Sequence, residues 1–214
     1  MEKQKKRESI SALHRENILC AAEKLFSEKG FITTTIDDIS LLSEYSRRTI
    51  YVYFKSKEDI LYHLVLKGLQ GLQKDLALAI DSNLGFYEKY KAICKAMVCY
   101  QKKSYLSFEA VEKMQSKKID SNNIPEIVKE ILTAGTIINN LLAVYIENGK
   151  KQGVVREEVK VMPTVYILWS SISSLLSLAS KKGSFLETES GMTFSEFLDY
   201  GFDQILNSIM EERI

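Results

Sequence analysis

The chain has 214 residues and a formal net charge of +1, with 45% hydrophobic and 27% charged residues. This composition is typical of a soluble globular protein, and it excludes a polycation, so any contact with nucleic acid must come from local charge. Only two prolines, Pro125 and Pro163, and ten glycines are present. That is few for the many turns of an all-β protein, and it favours helices.

Cysteine and histidine usage gives no sign of a metal or redox site. The cysteines, Cys20, Cys94 and Cys99, lie in apolar helical patterns without a CxxC pair, and the histidines, His14 and His63, are far apart. We therefore expect no metal and no cofactor. The sequence also contains no Gly-rich phosphate loop, no HExxH motif and no nucleophile elbow, so we do not expect an enzyme.

Three short helices are predicted first. One runs from about Ser11 to Lys29, and Gly30 follows it at the position that favours a left-handed cap. Thr35 is placed to cap a two-turn helix from Ile36 to roughly Leu42, with two acidic residues in its first turn. Ser46 can cap a third helix that runs through RRTIYVYF.

Six longer helices follow in the pattern. Ser56, with an acidic residue three positions on, opens a helix that ends near Asp81. Residues 184–192, SFLETESGM, are predicted to form a loop, and Thr193 and Glu196 form a capping-box pair. The other predicted helices are Phe86 to about Ser104, Tyr105 to Lys118, Pro125 to about Gln152, Pro163 to Lys181–Gly183 and Thr193 to about Met210.

Residues 161–180 carry no charge over a length that could cross a bilayer. Serines recur on one face of this segment, opposite Tyr166, Trp169 and Ile172. Such a two-faced helix is typical of one packed between others in a soluble protein. We expect no membrane contact, and the N-terminus has no apolar core of a signal peptide. A cytoplasmic protein is the expectation.

The stretch YSRRTIYVYFKSKEDI, residues 45–60, is the most informative. Two short helices joined by a tight turn, the second rich in Arg, Thr and Tyr, are typical of a helix-turn-helix, whose second helix enters the major groove of DNA. Ile50 and Phe54 can face a three-helix core. The residues left to face outward are Arg47, Arg48, Thr49, Tyr51 and Tyr53.

These patterns predict an all-α fold of about nine helices. An N-terminal three-helix helix-turn-helix domain, residues 1–55, precedes a larger C-terminal helical bundle domain, residues 56–214. The helix that begins at Ser56 is expected to bridge the two domains.

The segment from about Ile10 to Leu64 resembles the N-terminal domain of the TetR family of bacterial transcriptional regulators. The turn departs from the usual Ala-Gly-Val, since Glu44 stands in the place of the glycine and must accept a positive φ unless the turn differs. Arg48 replaces a residue that is small in many members. The matching features are Leu25-Phe26, Gly30, Thr34-Thr35-Ile36, Ile39, Ser46, Thr49, Tyr51, Tyr53-Phe54 and Ser56-Lys57-Glu58.

A DNA-binding surface follows from the motif and the resemblance. Arg47 and Arg48 are the first candidates for base or phosphate contact, with a solvated charge pair as the alternative. The resemblance implies phosphate contacts by Thr35, Tyr53 and Lys57. The full candidate set is Thr34, Thr35, Ser46, Arg47, Arg48, Thr49, Tyr51, Tyr53 and Lys57.

The resemblance also implies that the C-terminal domain binds a small effector and forms a homodimer. Helices Pro163–Lys181 and Thr193–Met210 are the candidates for the dimer interface, with intramolecular core as the alternative. If an effector binds, we expect it to be hydrophobic, because the middle helices supply apolar and aromatic side chains; for each residue taken singly, ordinary core is the favoured alternative. Those side chains are Tyr100, Tyr105, Phe108, Met114, Tyr145, Tyr166 and Trp169.

The expected function is a ligand-responsive transcriptional regulator, a repressor that binds a palindromic operator as a homodimer. Effector binding would move the bridging helix and change the separation of the two reading helices. The alternative is a DNA-binding regulator that is gated by a protein partner, which a solid C-terminal core would favour.

Overall fold

The computed structural model describes residues 2–115 and 124–211. Within them the chain is all-α, as predicted, and the single β-bridge pairs Val155 with Met210. The predicted continuation of the sixth helix to Lys118 lies outside the described residues. The nine helices of the described residues are α1 Glu2–Lys29, α2 Ile36–Ser43, α3 Arg47–Tyr53, α4 Lys57–Asp81, α5 Phe86–Lys103, α6 Tyr105–Gln115, α7 Glu126–Lys151, α8 Val161–Ser190 and α9 Phe194–Asn207.

The predicted loop over residues 184–192 is wrong as far as Ser190, because α8 continues to that residue. Gly183 had been expected to end the helix, but it does not adopt a positive φ. The left-handed cap is provided by Gly191, with a φ of 68°. The irregularity near Gly183 is a kink at Lys182, where φ is −130° and ψ is 23°. The helix therefore bends at this point and continues.

The chain divides into two compact units. The first unit comprises Met1–Gly68 and Leu106–Ile131, and the second comprises Leu69–Tyr105 and Leu132–Ile214. Helix α4 therefore belongs to the first unit up to Gly68 and to the second from Leu69. The functional division of the chain at residue 55 stays a prediction.

One hydrophobic core joins α1, α2, α3 and the start of α4 in the first unit. Ile50 is fully buried in it and Phe54 is 2% exposed, as their spacing predicted. A helix with one buried stripe must turn its opposite stripe outward. The core side chains are Ile18, Leu19, Ala22, Phe26, Ile39, Ile50, Phe54, Ile60 and Leu64.

Side-chain caps fix the starts of α2 and α3, as the sequence predicted. Thr35 and Asp38 form a reciprocal capping box at the start of α2. Hydrogen bonds from Lys29 and from the backbone of Thr35 lower the pKa of Asp38 to about 2, so its carboxylate is ionised. The Oγ of Ser46 accepts a hydrogen bond from the backbone N–H of Thr49 at 3.1 Å. Both short helices therefore begin at defined residues.

The turn between α2 and α3 passes through Glu44, which has a φ of 60° and a ψ of 18°. Among the described residues it is the only non-glycine with a positive φ. An L-residue in this region costs about 1–2 kcal/mol. The chain after the turn is held because the Ser40 Oγ donates to the Tyr45 carbonyl at 2.6 Å. Glu44 therefore accepts the strain, and the left-handed turn is retained without its usual glycine.

Arg15 of α1 holds the end of α3. Its guanidinium donates to the Tyr53 carbonyl at 3.4 Å and to His63 Nε2 at 2.9 Å, and lies 4.9 Å from the centre of the Phe54 ring. Burial and the positive charge of Arg15 lower the pKa of His63, although Asp59, 3.8 Å away, opposes the shift. His63 is therefore neutral near pH 7, and its unprotonated Nε2 can accept the bond from Arg15.

The core of the second unit contains two buried tyrosines with satisfied hydroxyl groups. Tyr90 donates to the Phe202 carbonyl at 2.9 Å, and Tyr145 donates to the Phe86 carbonyl at 3.1 Å. The rings of Tyr145 and Phe86 stack at 4.4 Å. Burial raises the pKa of both tyrosines and raises that of Cys94 to about 12, so all three remain neutral.

Helices α7 and α8 are long and apolar enough to cross a membrane by length and composition alone. Core helices of soluble proteins meet the same description. Both helices bury side chains inside the protein, including Ile138 and Ile146 of α7 and Leu168 and Leu176 of α8.

Gly149 and Gly135 of α7 offer a matched pair of substitutions. A Cβ at Gly149 would lie 2.4 Å from the Phe86 ring and 2.6 Å from Val155, whereas nothing lies within 4 Å of one at Gly135. Gly135→Ala should raise the free energy of unfolding by up to about 1 kcal/mol, because alanine favours helix. Gly149→Ala should lower it by about 1–3 kcal/mol through overpacking. Urea denaturation measures both values, and equal effects would contradict the packing at Gly149.

His63→Gln tests the histidine in the Arg15 network. Because folding lowers the pKa of His63 below its ordinary value of 6.5, the unfolded chain binds more protons near that pH. The neutral His63 therefore makes its whole contribution to the free energy of unfolding above pH 6.5. That contribution is lost as the pH falls through the lowered pKa of the folded state. The wild type should lose more thermal stability on acidification than the variant, whose glutamine keeps an acceptor without titrating. Identical pH profiles of the melting temperature would refute this.

Candidate nucleic-acid interface

The outer face of α3 is set by the burial of Ile50. With 3.6 residues per turn, the residues two positions before and two after a buried one point about 160° away from it. Arg48 and Val52 occupy these positions, and both are exposed, Val52 at 73%. Tyr51, beside them, is 55% exposed. We call Arg48, Tyr51 and Val52 the α3 outer face.

The two adjacent arginines have different surroundings. Arg47 forms a two-point ion pair with Asp37 of α2, in which Nε and Nη2 contact the two carboxylate oxygens. For Arg48 no hydrogen bond or ion pair is found with any part of the chain that the structure describes. All five N–H donors of the Arg48 guanidinium are therefore available to a partner, whereas Arg47 uses two of its five on Asp37.

Two of the three threonines before α2, Thr34 and Thr35, belong to the predicted DNA-binding set, and both form hydrogen bonds within the chain. Thr34 is fully buried, and its Oγ1 donates to the carbonyl of Gly30 at 2.8 Å. Its side chain closes the end of α1 and has no surface with which to contact DNA. The exposed Thr35 donates its hydroxyl to Asp38 at 2.8 Å as part of the cap of α2. Of Thr34 and Thr35, only Thr35 therefore presents its side chain to solvent.

The remaining hydroxyl groups border α3. The Oγ of Ser46 lies 2.8 Å from the Oγ1 of Thr49, at the start of the helix. Tyr53 is half-buried near its end, and its hydroxyl lies 3.0 Å from Nδ1 of His14. A phosphate oxygen accepts a hydrogen bond, and each hydroxyl has one O–H to donate. One O–H of the Ser46–Thr49 pair is therefore available to a phosphate, and that of Tyr53 is available in the tautomer in which His14 donates to it.

Lys57 anchors the loop between α1 and α2. Its Nζ donates to the carbonyl oxygens of Phe31 at 2.7 Å, Ile32 at 3.2 Å and Thr34 at 2.7 Å. It also lies 4.5 Å from the centre of the Phe31 ring. Since an ammonium group has three donors, all of them are used. A contact with a DNA phosphate would therefore replace one of these bonds.

Val52 is an exposed residue of α3 that sequence reasoning missed. Residue type alone predicts that an aliphatic side chain of α3 faces the core, together with Ile50, and not solvent. The signal that could have identified Val52 is its distance of two residues from the buried Ile50.

A small cavity lies in the second unit. The volume open to the centre of a water-sized sphere is about 10 Å³, which is close to the minimum for one water molecule. Tyr145 and Trp169 of the predicted ligand set line it. The complete lining is Leu76, Tyr90, Ile93, Met97, Leu142, Tyr145, Leu168, Trp169 and Ile172.

The other five predicted ligand residues do not line this cavity. Tyr100 and Phe108 are buried, Met114 is half-buried, and Tyr105 and Tyr166 are 40% and 57% exposed. Phe108 and Met114 belong to the first unit. Over residues 2–115 and 124–211, no group of three His, Cys, Asp or Glu side chains is placed so that it could hold a metal ion.

Exposed apolar side chains occur along α8 and α9, the two helices predicted to form a dimer. Part of the predicted interface is intramolecular instead, because a Cβ at Gly201 would lie 2.5 Å from Leu175 of the same chain and Ile209 is buried. We call the exposed members the α8–α9 apolar face. They are Met162, Tyr166, Ile167, Leu178, Phe185, Phe194 and Tyr200.

Residues 18–64 match the model of a family described as bacterial regulatory proteins, tetR family. The uncharacterized HTH-type transcriptional regulator YhgD of Bacillus subtilis is 24% identical over 147 residues, which cover 69% of this chain and 74% of that protein. The HTH-type transcriptional repressor NicS of Pseudomonas putida is 50% identical over 46 residues, 22% of each chain.

Likeness in structure extends over most of the chain. The crystal structure of the TetR family transcriptional regulator PfmR from Thermus thermophilus superposes with a TM-score of 0.65 at 25% identity, covering 89% of this chain and 97% of that chain. The family match falls on α1 to α4, where the capped helices and the α3 outer face lie. Residues 18–64 therefore form a DNA-binding domain of the TetR family of transcriptional regulators, in which α2 and α3 are the helix-turn-helix.

Proposed function

We propose that this chain is a repressor that binds a palindromic operator as a homodimer and is released when a small apolar effector binds its second unit. The observation that carries the proposal is the α3 outer face, an exposed cationic and aromatic surface on a helix whose other side is buried. As a transcriptional regulator, the chain is a soluble cytoplasmic protein, and operator binding would hold it at the nucleoid. The name of the relative NicS supports repression over activation.

Arg48 is the proposed base reader. A guanidinium that approaches guanine can donate to O6 and N7 together, which contributes about 1–3 kcal/mol of discrimination. The proposed phosphate contacts are Ser46, Thr49 and Tyr53, whose hydroxyl groups belong to α3 or its cap outside the outer face, and Thr35, which caps α2 and would exchange Asp38 for a phosphate. These contacts fix the position of the helix on the duplex but carry no sequence information.

Arg47 and Lys57 are proposed as positioning residues first. Arg47 joins α3 to α2 through Asp37, and Lys57 holds the loop before α2. Lys57 could contact a phosphate only by exchanging a loop carbonyl for it, whereas Arg47 keeps N–H donors that Asp37 does not use. Their loss should therefore weaken binding to all sequences alike, by disturbing the placement of α3.

The α8–α9 apolar face is the proposed dimer interface. A single helix-turn-helix makes few contacts with DNA, and a two-fold pair matched to two half-sites supplies the missing affinity. Exposed aromatic and aliphatic side chains on two neighbouring helices are typical of such a self-complementary surface. Helix α4, which runs through both units, is the proposed route by which an effector changes the spacing of the α3 helices.

The size of the cavity favours a second candidate function, gating by a protein partner. An effector larger than one water molecule must displace lining side chains such as Trp169 or Tyr145. A ligand shifts a conformational equilibrium only through its different affinities for the two states, so this displacement would itself provide the signal. Melting-temperature shifts over a panel of lipophilic compounds distinguish the candidates, because a protein-gated regulator would show none.

Arg48→Ala and Arg47→Ala test the assignment of the base reader. Loss of the guanidinium of Arg48 should weaken binding to the preferred operator by about 10–100-fold and relax the preference at one base pair in each half-site. Arg47→Ala should preserve the relative base preferences. Fluorescence anisotropy on duplexes selected from a randomised library measures both effects. A preserved profile in Arg48→Ala with a relaxed one in Arg47→Ala would reverse the two roles.

Ile167→Glu tests the dimer interface. Ile167 is 61% exposed on α8, so the charge should be tolerated by the fold but not by an apolar interface. The variant should elute as a monomer and lose operator binding at concentrations where the wild type binds. Leu78→Glu is the matched control, since Leu78 is 65% exposed on α4. Light scattering after size-exclusion chromatography gives the masses, and a dimeric Ile167→Glu would refute the interface.

A further inference from the structure

Val52 is an exposed aliphatic residue of the α3 outer face. It is 73% exposed, although its neighbours on that face, Arg48 and Tyr51, both carry polar groups. Exposed apolar side chains are common on protein surfaces and have no meaning by themselves. The position of Val52 is what matters, since it points directly away from the buried Ile50.

We infer that Val52 contacts the methyl group of a thymine, within two base pairs of the base contacted by Arg48. This inference rests on the proposed function, in which α3 lies in the major groove. Among the groups that base pairs present there, the thymine C5-methyl is the apolar one. Val52 has no side-chain donor or acceptor, so a contact with this methyl is the only base-specific contact that it can make favourably.

The spacing of Val52 and Arg48 limits where the thymine can lie. Four residues along a helix correspond to an advance of about 6 Å on the same face. Successive base pairs are about 3.4 Å apart along the duplex. A helix that follows the groove therefore places the two side chains over base pairs that are either adjacent or separated by one other base pair.

Valine is also suited to a fixed contact. Its branched Cβ leaves one strongly preferred χ1 rotamer in a helix, so its methyl groups point in a defined direction. Little side-chain entropy remains to be lost when DNA binds. The more exposed Leu41, at 84%, lies on α2 and outside this face, so the inference does not extend to it.

Replacement of thymine by deoxyuridine tests the inference, because it removes only the C5-methyl group. The probe is the duplex that the wild-type chain selects from a randomised library, with each thymine replaced in turn in one half-site. One replacement should lower wild-type affinity by about fourfold, the value of one buried carbon group. Val52→Ala should bind the thymine and deoxyuridine duplexes almost equally.

Two controls separate this contact from its neighbours. Leu78→Ala changes an exposed leucine outside the first unit. This variant should still lose about fourfold in affinity when the critical thymine is replaced by deoxyuridine. Arg48→Ala should keep this sensitivity as well, because its own loss of preference lies at a different base pair. Val52→Ala removes no buried surface of the core, so its melting temperature should equal that of the wild type.

The outcomes distinguish this inference from the proposed function. If the wild type selects no sequence from the library, the proposed function and the inference both fail. If it selects a sequence but no thymine shows methyl sensitivity, or if Val52→Ala keeps that sensitivity, the inference alone is overturned. A sensitive thymine more than two base pairs from the base read by Arg48 would also overturn it.

Discussion

Burial of Ile50 and Phe54 controls the geometry of the DNA-binding surface. Helix α3 has seven residues, too few to be stable as an isolated helix, so its conformation depends on tertiary contacts. Each of these two side chains contributes about 1.5–3 kcal/mol when fully buried. Once Ile50 faces the core, helical periodicity alone directs Arg48 and Val52 outward. The surface that we propose to contact the groove is thus a consequence of the packing on the opposite side.

Polar side chains hold this surface in place, and several of them looked like DNA contacts in the sequence. Lys57 uses its ammonium group on three loop carbonyls, and Thr34 is buried at the end of α1. Buried or loop carbonyls need donors, so these bonds stabilise the segment that carries the first capping residue. The family resemblance predicts DNA contacts at both positions, whereas in the structure both side chains bond to backbone carbonyls of the scaffold.

Local features of the sequence predicted most of the fold. Two kinds of feature depend on near neighbours along the chain, which a sequence displays directly. They are the helix caps at Thr35, Ser46 and Thr193 and the buried position of Ile50. The partner of Arg47, the bonds of Lys57 and the one-water cavity depend on residues distant in sequence, which periodicity does not reveal. The end of α8 was missed for a local reason, because two glycines eight residues apart, Gly183 and Gly191, could each stop a helix.

The ion pair of Arg47 and Asp37 has a consequence for how binding responds to ionic strength. Both side chains are more than half exposed, so dissolved salt screens their attraction. Salt also weakens the attraction between the protein and DNA phosphates. Raising its concentration therefore loosens the junction of α2 with α3 while it weakens the complex. The dependence of affinity on salt would then include an internal component, and its slope would overstate the number of phosphates that the protein contacts.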